Sequence, residues 1–238
     1  MRSNQYTFDS KVRISEAGSK GKLTLPAIIN YFQDCSTLQS EGLGVGIDFC
    51  REHKRAWVLS SWQIVVERYP ELAEDIKART WATGFRGLFG ERNFCIEDNE
   101  GYMVAYANSL WVYMDIEMGR PTKPTPEEIE PYGVGAPLEM EPMSRKISLP
   151  ENAEVKEPFR VRKYQIDTNH HMNNCQYVQM AMEFLEDDFV PHHVRVEYKK
   201  SALYGDVIIP KVAKDENRIV IELCDEADKL YASVEFQI

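Results

Sequence analysis

At 238 residues the chain has room for one large domain or two smaller ones, and 43% hydrophobic with 28% charged residues is an ordinary globular composition rather than a disordered one. A formal net charge of −10 sets it against nonspecific nucleic-acid binding, which needs a clustered basic surface. No apolar run approaches the roughly 20 residues of a membrane span, and the opening Met1-Arg2-Ser3-Asn4-Gln5-Tyr6-Thr7-Phe8-Asp9 lacks the apolar core of a signal peptide.

The first regular element is a helix. Thr24 is placed to cap it, Pro26 falls in its first turn, and Leu25, Ile28, Ile29, Phe32 and Cys35 recur at helical spacing until Gly42 and Gly44 stop it. Strand-like runs follow from Trp57 to Tyr69, Ile76 to Phe85, Glu91 to Glu97 and Tyr102 to Asp115. Residues 118–150 are then rich in proline, which argues against a helix or a central strand and for an extended crossover. After it the order repeats. Asn173 or Asn174 caps a helix with Tyr177, Val178, Ala181, Met182 and Leu185 on one face, and three alternating strands follow around Val194–Tyr198, Ile219–Leu223 and Leu230–Ile238. In the last of these Tyr231, Ser233, Glu235 and Gln237 form the polar side. The reading is α+β: a first unit at 1–117, a crossover at 118–150 and a second, similar unit at 151–238, each a long helix with an antiparallel sheet.

Cys35, Cys50, Cys95, Cys175 and Cys224 are odd in number, scattered and never spaced as Cys-x-x-Cys, so neither a disulfide framework nor a zinc knuckle is expected. A reducing, cytosolic compartment fits them best. His192-His193 would point to opposite faces of a strand and cannot easily share a metal ion. Two short basic clusters, Arg51-His53-Lys54-Arg55 and Arg160-Arg162-Lys163, stand out against the acidic whole.

The chemistry concentrates in Asp167-Thr168-Asn169-His170-His171-Met172-Asn173-Asn174, directly before the second helix. A carboxylate can orient an imidazole, an imidazole can take a proton from water, and an amide can donate to a developing oxyanion. The same residue types also cap helices and build turns, so the stretch alone leaves both readings open.

Tyr164-x-x-Asp167-x-Asn169-x-His171-x-Asn173-Asn174-x-x-Tyr177, with Val196-Glu197-Tyr198-Lys199-Lys200 downstream and the Gly119-Arg120-Pro121 turn, resembles the signature of the acyl-acyl carrier protein thioesterases, double hot-dog enzymes that end fatty-acid synthesis. The resemblance implies a tandem hot-dog fold, with the acyl chain held by the N-terminal unit and the chemistry supplied by the C-terminal one. It implies hydrolysis of a fatty acyl thioester on the phosphopantetheine arm of an acyl carrier protein, with no metal or organic cofactor. It assigns catalytic roles to Asp167, Asn169 and His171. Where family members often carry a Glu-Cys pair, this chain has Ser201-Ala202, so no thiol nucleophile is expected there and Ser201 becomes a further candidate for holding the water.

His171, with an ordinary pKa near 6.5, is the natural base, and Asp167 would orient it, stabilise its cation or attack directly. Asn169 would position water or donate to the thioester oxygen. Free amides at the helix start near Asn174 would add their dipole. His170 reads as a surface neighbour and Cys175 as a buried thiol. Trp57, Trp62, Trp81 and Trp111 are candidates for an acyl channel or for plain core. An acidic carrier would dock on Arg51, Lys54 and Arg55 or on Arg160, Arg162 and Lys163, and a homodimer through hot-dog edges is a further possibility. The alternatives are an acyl-CoA thioesterase of the same fold and a non-hydrolysing acyl-binding or sensor protein.

Overall fold

The computed structural model describes residues 4–215 and 218–238, so Met1, Arg2 and Ser3 of the N-terminal stretch lie outside the described residues. The chain divides into two units, Met1–Ser60 with Ile64–Glu141 and Ser61–Gln63 with Pro142–Ile238.

The first unit comprises β1 (Tyr6–Lys11), α1 (Leu25–Gly42), α2 (Ile47–Glu52), β2 (Arg55–Val66) apart from Ser61–Gln63, β3 (Asp75–Arg86), β4 (Phe89–Asp98), β5 (Met103–Asp115), β6 (Arg120–Pro121) and α3 (Pro126–Ile129). Its strands run in the order β1-β3-β4-β5-β2, with β6 added to β5. The expected start of α1 is present: Thr24 is extended and its hydroxyl accepts from the Ala27 amide at 3.3 Å. Leu25, Ile28, Ile29, Phe32, Cys35 and Gln39 turn to the sheet, and the Phe32 and Phe94 rings meet at 5.2 Å. Buried alanines at 78, 82, 105 and 107 keep the facing sheet low enough for the helix to lie close. Neither β1 nor the short α2 was expected, because six residues carry too little pattern to stand out.

The second unit comprises β7 (Glu154–Val155), β8 (Phe159–Arg160), α4 (Asn174–Met182), β9 (His193–Tyr198), β10 (Val207–Lys214), β11 (Arg218–Cys224) and β12 (Leu230–Gln237). The strand order is β9-β12-β11-β10-β7, with β8 also on β10. Four long strands replace the three expected, since Pro210 hides β10. Proline cannot donate to a ladder; here it sits between the separate pairings of β8 with Val207–Ile208 and β7 with Lys211–Val212. The helix is also shorter than expected. It ends at Met182, so Leu185 lies beyond it, and Cys175, Tyr177, Val178 and Ala181 form the buried face.

The polar side of β12 departs further from expectation, because Ser233 and Glu235 are buried. Glu235 is gripped by both Nε and Nη2 of Arg195 at 2.8 Å and by Arg218 Nη1 at 3.1 Å. Crossover residues approach the same side: Arg195 Nη1 donates to the Ser144 carbonyl at 2.6 Å, and Ile147 N donates to Glu197 Oε2 at 3.2 Å on the neighbouring strand.

The crossover is likewise more structured than its prolines suggested. Pro126 occupies the first turn of α3, where the missing N–H costs nothing. In the first unit, Gly135 N donates to Ala82 O at 2.9 Å, Trp81 Nε1 to Ala136 O at 2.8 Å and Leu138 N to Asn93 Oδ1 at 2.9 Å. Residues 132–138 are thus strapped to the first sheet.

Candidate functional site

Residues 165–173 form a narrow loop at the entry to α4. Asn173 N donates to Gln165 O at 2.9 Å, Ile166 bridges Met172, and Asp167 N donates to His171 O at 2.8 Å. Within this neck the Asp167 carboxylate accepts through Oδ1 from Asn169 N at 2.8 Å and from His171 N at 3.4 Å. This is an Asx-type turn, in which a side-chain oxygen replaces a missing backbone partner. His170 closes it with φ 62, the left-handed region that histidine tolerates better than most residues.

This arrangement revises the expected division of labour. Asp167 holds the backbone beneath His171, and no hydrogen bond joins its carboxylate to the His171 ring among the described residues. The side chains of Asn169 and His171 are both exposed and have no hydrogen-bond partner among the described residues. Two of the helix-start amides are committed: Cys175 N donates to Asn173 Oδ1 and Gln176 N to Asn173 O, each at 2.9 Å. Of the donors expected at the helix start, the Cys175 and Gln176 amides are therefore occupied by Asn173.

Ser201 reaches the loop through the backbone. Met172 N donates to Ala202 O at 2.8 Å, which puts His171 and Ser201 each one residue before the paired positions. The Ser201 hydroxyl is exposed and also without a partner among the described residues. Beneath it Tyr177, fully buried on α4, accepts from Ala202 N through its hydroxyl at 2.8 Å. Burial pushes the Tyr177 phenol up to about 12, so it stays neutral. Tyr198 donates to Asn174 O at 2.9 Å, and Gln165 accepts from Arg162 N through Oε1 at 2.8 Å. Tyr177, Tyr198 and Gln165 therefore brace the loop. The first two belong to the motifs quoted above, but periodicity shows them only as helix and strand residues.

The remaining candidates separate from this cluster. Cys175 is buried and its thiol is raised by burial to about 12, which leaves it no nucleophilic role. Glu197 is buried, accepts from Ile147 N and pairs with Lys199, a structural use of the downstream motif. In the first unit Trp57 packs on Tyr113 at 4.6 Å, while Trp81 and Trp111 satisfy their indole N–H groups on Ala136 O and Ser109 Oγ. A cavity of about 440 Å³ in the second unit is lined by Asn152, Lys156, Phe184 and Lys214 among others, and by none of the loop residues. Among the described residues, no group of three or more His, Cys, Asp or Glu is placed to hold a metal ion.

The acyl-ACP thioesterase N-terminal domain pattern matches residues 3–132 and the C-terminal domain pattern residues 148–237. The chain is 29% identical over 187 residues to a chloroplastic palmitoyl-acyl carrier protein thioesterase of Cuphea hookeriana, covering 72% of this chain and 45% of that protein. It is 23% identical over 218 residues to oleoyl-acyl carrier protein thioesterase 1 of Arabidopsis thaliana, covering 83% and 60%. The chain thus spans about half the length of the curated relatives it matches. An acyl-ACP thioesterase from Bacteroides thetaiotaomicron superposes with TM-score 0.90 at 21% identity over 98% of this chain and 97% of that one. The 12:0-ACP thioesterase from Umbellularia californica gives 0.88 at 17% over 100% and 98%. These likenesses establish the fold expected from the sequence, a tandem hot-dog of α+β units.

Proposed function

The chain belongs to the acyl-ACP thioesterase family, and on that premise we propose that it hydrolyses fatty acyl thioesters of acyl carrier protein, releasing free fatty acid and carrier thiol. What carries this reading is the Asx-turn loop, which leaves the Asn169 amide and the His171 imidazole exposed beside the Ser201 segment and, among the described residues, uncommitted.

His171 acts as general base. It removes a proton from water as the oxygen attacks the thioester carbonyl; the C–S bond breaks, and the imidazolium returns the proton to the departing thiolate. The leaving thiol, with a reference pKa of about 8.5, needs little help, so activating water is the harder task. Asn169 donates to the thioester oxygen as charge develops there. Ser201 holds the water. Asp167 is a positioning residue that acts through the backbone of Asn169 and His171, which fits Oδ1 being spent on those two amides. The first unit takes the acyl chain. All five cysteines are free thiols, which suits a reducing, cytosolic compartment.

In this scheme Asn169→Ala and His171→Ala each lower hydrolysis of acyl carrier protein thioesters by roughly 10² or more, with unchanged circular dichroism. Near-parent turnover in purified His171→Ala would remove it as the base. Comparing kcat/KM for carrier-linked and CoA-linked thioesters of one acyl chain decides the carrier, and an acyl thioester that stays intact on prolonged incubation would mark a binding protein.

A further inference from the structure

Two basic clusters compete as the landing place of an acidic carrier, and their partners differ. At α2 and the start of β2, Arg51 pairs with Asp48 at 2.8 Å and Arg55 pairs with Asp115 at 2.8 Å. Most of that charge is neutralised within the chain itself. In the second unit Arg160, Arg162 and Lys163 are exposed and make no ion pair with a carboxylate among the described residues. Arg160 Nη1 donates to Gly205 O at 2.7 Å, and Lys163 Nζ lies 5.7 Å from the centre of the Tyr204 ring. The nearest carboxylate of that loop, Asp206, accepts from Leu203 N and the Tyr231 hydroxyl, each at 2.9 Å.

Apolar groups stand among these cations. Tyr164 is 81% exposed, Tyr204 59% and Leu203 49%, an unusual concentration of large side chains left in water. Val161 N donates to Asp206 O at 2.9 Å and Gly205 N to Val161 O at 3.1 Å, so the 160–164 and 203–206 segments form one face. That face adjoins the loop. Lys163 precedes His171 by eight residues, a span of at most about 29 Å even if fully extended, and the chain between them is folded into a 3-10 turn and the Asx turn.

We propose that Arg160, Arg162, Lys163, Tyr164, Leu203 and Tyr204 form the docking surface for the acidic carrier domain that bears the thioester. The cations steer and hold its acidic side chains, and the exposed rings and Leu203 cover its apolar contact. The identity of the partner rests on the thioesterase reading above. The docking itself is a binding event that can be measured without hydrolysis.

Fluorescence anisotropy of a labelled holo-acyl carrier protein titrated with the full chain tests this at low salt. The Arg162→Glu/Lys163→Glu double variant raises Kd by roughly tenfold or more, and Arg51→Glu/Lys54→Glu changes it by less than about twofold. Tyr164→Ala/Tyr204→Ala, which leaves the charge unaltered, also weakens binding. Circular dichroism and hydrolysis of a soluble acyl-pantetheine thioester report whether each variant is folded. Equal effects from the two charge reversals, or none from either, would overturn the proposal. So would a change in the sedimentation of the chain alone with carrier affinity intact, since the face would then belong to a second copy. Should the parent bind carrier through this face but hydrolyse no thioester, the catalytic reading falls and the docking surface stands.

Discussion

His170 and His171 are neighbours with opposite duties. His170 sits at φ 62, where a side chain with a Cβ costs about 1–2 kcal/mol, so its contribution is to bend the chain and expose its neighbour. His170→Gly should therefore keep turnover close to the parent and gain up to about 1 kcal/mol of stability, whereas His170→Val should lose about 1–2 kcal/mol in urea denaturation. Asp167 offers a sharper test, since asparagine retains the acceptor oxygen that holds the Asn169 and His171 amides. Asp167→Asn should keep distinctly more activity than Asp167→Ala; equal losses would assign the role to charge instead. Tyr177→Phe removes the acceptor for the Ala202 amide. An unsatisfied buried donor costs about 1–3 kcal/mol, which a shift in Tm would show.

α4 has only nine residues, too few for an isolated helix to persist in water. It exists because Asn173 caps it and because Tyr177, Val178 and Ala181 are buried on its inner face. Asn173→Ala should cost about 1 kcal/mol in chemical denaturation, because it removes the side-chain oxygen that caps α4 on Cys175 N while leaving the backbone bond to Gln165 O in place. α1 is twice as long and anchored through Phe32, fully buried against Phe94. Phe32→Ala should destabilise the protein by about 3–5 kcal/mol in chemical denaturation while leaving the geometry of the Asp167 turn unchanged.

At the scale of the whole molecule, acid sensitivity follows from its paired carboxylates. Burial alone would raise the Glu235 carboxyl, but its hydrogen bonds to Arg195 and Arg218 and their charge outweigh that and hold it below the ordinary 4.5. Glu74 is lowered chiefly by its hydrogen bonds to Arg68. A depressed folded pKa means that the unfolded chain binds more protons as pH falls. Stability from these groups is therefore present above about pH 4.5 and lost as pH drops through their folded values, while Glu222, raised by burial, opposes the trend weakly. Glu235→Gln should flatten this acid limb and cost about 3–5 kcal/mol at neutral pH by leaving two arginines beside a neutral amide, measurable by denaturation at a series of pH values. The two-unit plan itself was legible in the sequence, since a capped amphipathic helix followed by alternating strands occurs twice. The strapping of residues 132–138 was not, because proline-rich chain has no period and its contacts are set by Ala82, Trp81 and Asn93 far upstream.

By itself the sequence determined what neighbours along the chain decide: the Thr24 cap, a second cap at Asn173 or Asn174, the alternation of the long strands, and the polar stretch from Asp167 to Asn174 that marks the loop. Only the tertiary structure decided what distant residues settle. It buried the polar side of β12 under Arg195, 40 residues away from Glu235, and threaded Pro210 between two short pairings. It turned the Asp167 carboxylate to backbone amides, and left Arg162 and Lys163 without carboxylate partners among the described residues while Arg51 and Arg55 took theirs. Caps and alternation are properties of a few consecutive residues, whereas burial, pairing and free charge depend on which remote segment arrives to cover or neutralise a side chain.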